Sequence, residues 1–309
     1  MLYREFGKLG WKVSAIGMGT WNIGNQWGPI DDQTAYATVR ASLEGGVNLI
    51  DTAEAYGIPF GLSELRLGMA LLGIRHQVFL VSKIGHWGQR IGHMVPKTHP
   101  ELVRLCAHAI LYRLRTDWVD VMLCHESDPE NPDVYLDAFE GLKKEGHIRA
   151  YGISTDSLEA VKRFNARGAC QVVEVNYSLL RRSAEEELLP YCRENGIAVL
   201  VRGPLAMGML SGKYSADSVF TDSVRAAWNT NERARARLQR QAAKIEKLKT
   251  VFEPGQDMIT AALRYVISHP ACPVAIPGAK SPEQALMNAG AGDRTLSDAE
   301  IAQLTALLE

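Results

Sequence analysis

A chain of 309 residues has room for one large or two ordinary domains, and its 46% hydrophobic and 22% charged residues are the profile of a globular protein in water. A formal net charge of −1 argues against an overall field for nucleic acid or anionic lipid, and no apolar run approaches the ~18 residues that span a bilayer. Five widely spaced cysteines without CxxC argue against a disulfide framework or a cysteine metal site. With no charged-then-apolar leader pattern in MLYREFGKLG, a cytoplasmic protein with reduced thiols is expected.

In chain order, MLYREFGKLGWKVS predicts a small hairpin turning at Gly7 to Gly10. AIGMGT (15–20) reads as a short buried strand, followed by a Gly- and Trp-rich loop to Pro29. Residues 32–45 have helical spacing, with Ala35, Val39, Ser42 and Leu43 on one face and Gly45-Gly46 as the stop. VNLID is the second strand and 63–72 the second helix. QVFLVSK (77–83) is the third strand, entering a long loop through Met94. Thr98 and Glu101 then form a capping-box pattern, with Leu102, Cys106, Ala109 and Ile110 as the buried stripe of the helix they open.

WVDVMLCH (118–125), IRAYGIS (148–154), QVVEVNY (171–177) and GIAVLVRG (196–203) continue the strands, alternating with helices at 133–144, 158–165 and 184–194. Pro190 inside the last of these predicts a kink or a shorter element. The alternation breaks between Leu205 and Val251. There a polar loop precedes a basic helix, roughly 232–252, with a stripe of Leu238, Ala242, Ile245, Leu248 and Phe252; its basic side reads as a solvated face. Residues 258–268 read as helix, CPVAIPG as the eighth strand, and 281–288 as helix. Ser297 and Glu300 cap a final one.

Eight short apolar strands alternating with helices argue for an all-parallel sheet closed by right-handed crossovers. The expected fold is an α/β (β/α)8 TIM barrel in one domain over 1–309, with a short N-terminal hairpin and extra helices after strand 7 and at the C-terminus. A doubly wound open sheet is the alternative, but no strand leads into GxGxxG. Barrel chemistry sits at the C-terminal ends of the strands. The second strand ends in Asp51 with Tyr56 in its loop, the third ends in Lys83 and the fourth in His125, so four ionisable groups share one rim. No metal set or paired carboxylate accompanies them.

A phenol of reference pKa about 10 holds its proton at neutral pH, and a neighbouring ammonium lowers that value. Asp51 would keep Lys83 charged and in place, Lys83 would lower the pKa of Tyr56, and His125 would orient a carbonyl oxygen or help pass a proton. Together they would protonate an oxygen becoming an alkoxide while hydride reaches its carbon. No side chain donates hydride, so a nicotinamide or flavin is required.

DTAEAYG, the Lys of VSKIG, the His of LCHESDP, GISTD, VRGPLAMGMLSGKY and IPGAKSPEQALMN resemble, in order from about Ile16 to Asn288, the signature blocks of the aldo/keto reductase superfamily. They are nearest to its bacterial branch without the long C-terminal tail, so no tail is expected to close the pocket. The resemblance implies reversible reduction of aldehyde or ketone carbonyls with NADPH/NADP+ lying extended across the rim. It also implies Asp51, Tyr56, Lys83 and His125 as a catalytic tetrad, with Tyr56 as the acid. Cofactor contacts would include Gly19, Thr20, Trp21 and Asp51. Tyr177 would stack on the nicotinamide. Ser154 would hold the carboxamide with Thr155 (usually Asn) and Glu174 (usually Gln), whose charge would favour oxidised nicotinamide; alternatively Glu174 pairs with a basic group and does not contact the cofactor.

In the loop after the seventh strand, the glycines serve turn geometry or phosphate binding. The resemblance assigns Gly203, Pro204, Leu205, Met207, Gly208 and Lys213 to pyrophosphate. Gly278, Lys280, Ser281, Gln284 and Asn288 would take the adenosine end, with Lys280 at a 2′-phosphate; Ser281 and Gln284 equally make an N-terminal cap. Trp21, Trp27, His86 and Trp87 are candidate substrate contacts, suited to an apolar or aromatic carbonyl compound, and Trp228 would fold over the cofactor. The expected partner is a small-molecule carbonyl substrate, with no nucleic acid or membrane, in a monomer or small homo-oligomer. The alternative is an NADPH-binding regulatory or redox-sensing subunit of low turnover.

Overall fold

The computed structural model describes residues 1–253 and 255–308, and no helix among them is long and apolar enough to cross a membrane. β1 (Tyr3–Glu5) and β2 (Lys12–Ser14) form the expected antiparallel hairpin around a 3-10 turn at Gly7–Leu9. Its Phe6 and Val13 join Leu49, Val81, Val121, Ala150, Val172, Leu200 and Val274 in the apolar filling of the barrel. Gly7, at φ 56, lies so close to the strand that begins at Ala198 that a Cβ would stand 2.6 Å from the amide nitrogen of that residue. The hairpin therefore closes the N-terminal end of the barrel and leaves chemistry to the other.

Eight parallel strands run in sequence order: β3 (Met18–Gly19), β4 (Leu49–Asp51), β5 (Phe79–Ile84), β6 (Val119–Cys124), β7 (Ile148–Ser154), β8 (Val172–Asn176), β9 (Ala198–Arg202) and β10 (Val274–Ala275). Backbone bonds from Gly17 to Ala275 (2.8 Å), from Ala275 to Ala15 (3.1 Å) and from Gly19 to Pro277 (3.1 Å) join the first strand to the last. The protein is thus a (β/α)8 barrel. β3 and β10 are shorter than their motifs because Pro273 and Pro277 offer no N–H to the ladder, and Gly17 and Gly19 pack no side chain. A Cβ on Gly19 would meet the Ile276 carbonyl at 2.7 Å, so glycine permits the strands to meet there.

The surrounding helices are α1 (Asp32–Glu44), α2 (Leu62–Ala70), α3 (Pro100–Leu114), α4 (Asp133–Lys144), α5 (Leu158–Phe164), α6 (Leu188–Asn195), α7 (Glu232–Leu248), α8 (Gln256–Ile267), α9 (Pro282–Gly290) and α10 (Asp298–Ala306). Ser297 and Glu300 form the expected capping box of α10. The box expected at Thr98 and Glu101 is not formed. His99 is the N-cap, because the residue before Pro100 is driven to extended geometry (φ −148, ψ 142) and cannot be the first helical residue. α6 is the shorter element expected around Pro190. The proline occupies its third position, where the missing N–H would have had no intrahelical partner.

Candidate active site

The pleat of the strands builds the site. Leu49, Val81, Leu123, Val172 and Leu200 point into the barrel, so with a period of two Asp51, Lys83, His125, Glu174 and Arg202 point inward at the next level up. There the Lys83 ammonium, fully buried, donates to both Asp51 oxygens (2.5 and 2.6 Å), to the Thr52 carbonyl (3.1 Å) and to the Tyr56 hydroxyl (3.2 Å). Glu174 Oε2 is a further 3.1 Å from the same nitrogen. Burial alone would lower the Lys83 pKa, but the two carboxylates outweigh it and hold the ammonium above its usual value. Burial also raises Asp51, against the pull of Lys83.

Tyr56 departs from expectation. Lys83 does draw its pKa down, but burial, Asp51 and Glu174 together push the phenol above its ordinary range. At neutral pH it is a firm proton holder. Glu174 is fully buried, accepts from the Ser154 hydroxyl (3.3 Å), forms an ion pair with Lys83, and is no part of the cavity wall. Its position inside the barrel, level with Lys83, makes it a second counterion of the lysine. Glu174→Gln should therefore lower the Tyr56 pKa. In any reaction for which Tyr56 supplies the proton, the basic limb of the rate profile would move down by about one pH unit, and the reverse reaction, which needs phenolate, would gain at a given pH. Profiles measured in both directions check this; superimposable curves would leave Glu174 without electrostatic influence on Tyr56.

His125 stacks on His86 (centroids 4.0 Å) and meets the Tyr56 ring edge-on (6.0 Å). Burial and then His86, Lys83, Arg202 and Arg90 hold its pKa well below the usual value, so it is neutral. Its Nδ1 and the Nε1 of Trp27 are buried polar atoms without a partner among the described residues. Both residues line the cavity, so unspent hydrogen-bonding capacity lies beside it.

These groups face a cavity of about 930 Å³ at the C-terminal rim. Of the residues expected there, its wall contains Gly19, Trp21, Trp27, Asp51, Tyr56, His86, His125, Ser154, Gly203, Pro204, Leu205, Met207, Gly208, Lys213, Gly278, Lys280, Gln284 and Asn288. Others are placed elsewhere. Tyr177 is turned into the core, where its hydroxyl donates to Glu185 (2.7 Å) beside Tyr265. Thr155 is buried and accepts the Ser157 N–H, and Thr20 is buried and donates to the Asp51 carbonyl. Ser281 caps α9. Trp87 packs on Phe60 and under Arg113, and Trp228 on Phe220; neither reaches the wall. Thr20, Thr155 and Tyr177 each follow a cavity-lining residue by one position, and a strand residue one position out of phase points behind the sheet.

Lys280 lines the cavity, but its ammonium donates to the Trp27 carbonyl (2.8 Å). Ser223 donates to the Gln26 carbonyl (2.9 Å) and Arg225 lies over the Trp27 ring (5.2 Å). The loops following β3, β9 and β10 are thereby tied together at one edge of the cavity. The basic face of α7 is not simply solvated: Arg237, Arg240 and Lys244, spaced three and four apart, line the same wall. Arg90, Asn176, Arg181 and Arg202 were also missed. The end-of-strand rule would have found Asn176 and Arg202, whereas α7 needed its docking angle. The cavity wall has nine Lys and Arg side chains against Asp51 alone, already paired.

Residues 15–309 match the sequence model described as the Aldo/keto reductase family. The chain is 34% identical over 294 residues to "Aldo-keto reductase YhdN" of Bacillus subtilis, covering 92% of this chain and 86% of that protein. It is 33% identical over 317 aligned positions to the "NADH-specific methylglyoxal reductase" of Escherichia coli (96% and 95% covered). Among solved structures it superimposes on an aldo-keto reductase of Klebsiella pneumoniae in complex with NADPH, with TM-score 0.74, 29% identity, and 99% and 95% of the two chains covered.

Proposed function

Because the chain belongs to the aldo/keto reductase family of oxidoreductases, we propose that it reduces aldehyde or ketone carbonyls to alcohols, reversibly, with NADPH as reductant and Tyr56 as proton donor. The observation that carries the reading is the buried Lys83 ammonium 3.2 Å from the Tyr56 hydroxyl, beside a neutral His125 with a free ring nitrogen. When bound, the reduced nicotinamide supplies hydride to the carbonyl carbon. The protein's part is the oxygen. His125 donates a hydrogen bond to it, Tyr56 gives up its proton as negative charge develops, and Lys83 stabilises the phenolate left behind. Asp51 and Glu174 hold the ammonium on target. The aromatic walls of Trp21 and Trp27 keep bulk water from the reacting atoms.

The cavity fits a phosphorylated dinucleotide. Ser154 and Asn176 offer hydroxyl and amide groups for a carboxamide. The turn at Gly203–Gly208, where Gly203, Ala206, Met207 and Gly208 all have positive φ, aims backbone groups at the cavity as an anion concavity does. Lys213, Arg237, Arg240, Lys244 and Lys280 line the wall without a carboxylate partner among the described residues. Such an excess of cations favours the additional 2′-phosphate of NADPH over NADH. With an aromatic aldehyde, the wild type is expected to use NADPH at least about ten-fold more efficiently than NADH, and Arg240→Ala combined with Lys280→Ala to erase most of that preference. Initial rates by nicotinamide absorbance decide it. An equal preference before and after would remove the 2′-phosphate from this wall, and tight NADPH binding with no turnover would favour a sensing role.

A further inference from the structure

Building on the carbonyl-reduction reading, we propose that the substrates this cavity selects are aldehydes or ketones carrying a carboxylate, and that Arg90 receives the carboxylate. The segment between β5 and α3, GHWGQRIGHMVPKTH (85–99), has no acidic residue. Within it Arg90 lies with its guanidinium 4.4 Å from the centre of the Trp21 ring, and Trp21 itself stacks on Tyr56 (5.7 Å, 19°). The acid and the arginine therefore share one indole, which sets a short molecule's reach between them.

Arg90 lines the cavity and has neither a hydrogen bond nor a carboxylate within ion-pair distance among the described residues. A guanidinium held over an aromatic ring engages it through its flat face. Its five N–H groups lie in the plane and stay free for a planar, two-oxygen acceptor. A carboxylate is that acceptor.

The surrounding charges agree. Asp51 is the one carboxylate of the cavity wall among the described residues, and it is engaged by Lys83. Arg202, on β9, and Arg181 share Asp156 (2.8 and 2.9 Å), with Glu174 4.0 Å from Arg202, so both of these arginines already hold a carboxylate. Lys97 is buried with its ammonium on the Val95 carbonyl. Glu54 and Glu126 face away from the cavity and accept the Gly85 N–H and the Tyr135 hydroxyl. His86, beside the reaction centre, is held down to about 4 by burial and then by Arg202, Arg90, Lys83 and Lys97. The uncompensated charge where a substrate would lie is positive, and Arg90 is its accessible source.

The test compares 4-carboxybenzaldehyde with its neutral methyl ester in wild type, Arg90→Ala and Arg90→Lys, with NADPH. The acid-to-ester ratio of kcat/KM is expected to fall about ten-fold in Arg90→Ala, chiefly through KM for the acid, and to recover in part in Arg90→Lys. A merely structural role of Arg90 lowers both substrates alike and leaves the ratio unchanged, which overturns the proposal. Binding of benzoate, followed by tryptophan fluorescence in the presence of NADP+, is a readout free of turnover and should weaken about ten-fold in Arg90→Ala. If neither aldehyde is reduced but benzoate binding depends on Arg90, the carboxylate site stands and the carbonyl reaction falls. If the ester is reduced and the ratio ignores Arg90, the reaction stands and this site falls.

Discussion

Replacing Tyr56 with phenylalanine is expected to lower kcat for carbonyl reduction by about 10²–10⁴-fold, the contribution of a positioned acid. The substitution isolates the hydroxyl. The Tyr56 ring stacks on Trp21 (5.7 Å) and meets His125 edge-on (6.0 Å), contacts that phenylalanine keeps. What disappears is the oxygen 3.2 Å from Lys83, and with it the cavity-lining phenolic proton held beside that ammonium. Because burial, Asp51 and Glu174 raise the Tyr56 pKa, the wild-type enzyme should reduce carbonyls at an even rate through neutral pH, losing activity only above the ordinary phenol value of about 10. NADPH absorbance with saturating aldehyde measures both. A variant that keeps more than about a tenth of the wild-type rate would show that the proton comes from elsewhere.

Lys83→Met should cost both turnover and stability. Methionine approximates the length of the lysine chain, so the change removes the charge and leaves little void. Asp51 and Glu174, 2% and 0% exposed, would then face one another without a counterion. Removing one member of a buried ion pair costs about 3–5 kcal/mol, because the remaining charge cannot return to water. The pH dependence has a definite sign. Asp51 already stands above its ordinary value through burial, and loss of the ammonium raises it further. A carboxyl raised in the folded state stabilises below its unfolded pKa and ceases to do so as pH rises through the folded one. The deficit of Lys83→Met should therefore be largest at neutral pH and shrink toward about pH 4, the unfolded carboxylate range. Urea unfolding of both proteins across that window reads it directly, and equal midpoints at neutral pH would place the lysine outside the stability of the barrel.

Much of this was already legible along the chain. The alternation of short apolar strands with helices specifies a parallel barrel because each strand buries both faces and each crossover must be long. The strand-end rule found Asp51, Lys83 and His125, and Tyr56 five residues past Asp51, because these are local matters of phase and turn. Pro190 announced its short helix for the same reason. Where the prediction failed, the deciding fact was tertiary. No local signal says whether the Glu174 carboxylate meets a cofactor or a basic group; only the closure of the barrel brings β8 within ion-pair distance of Lys83 on β5. Tyr177 and Trp87 carry the right chemistry but point behind the sheet or along its outer loops.

The sequence by itself determined the barrel and the four polar groups at its rim, since period and hydrophobicity act within a few residues. The tertiary structure alone decided which charges meet. It turned the basic side of α7 toward the cavity, gave Lys83 a second carboxylate, and left Arg90 unpaired over Trp21. Coulomb interactions and desolvation depend on distances between segments far apart in the chain, and a linear sequence does not contain them.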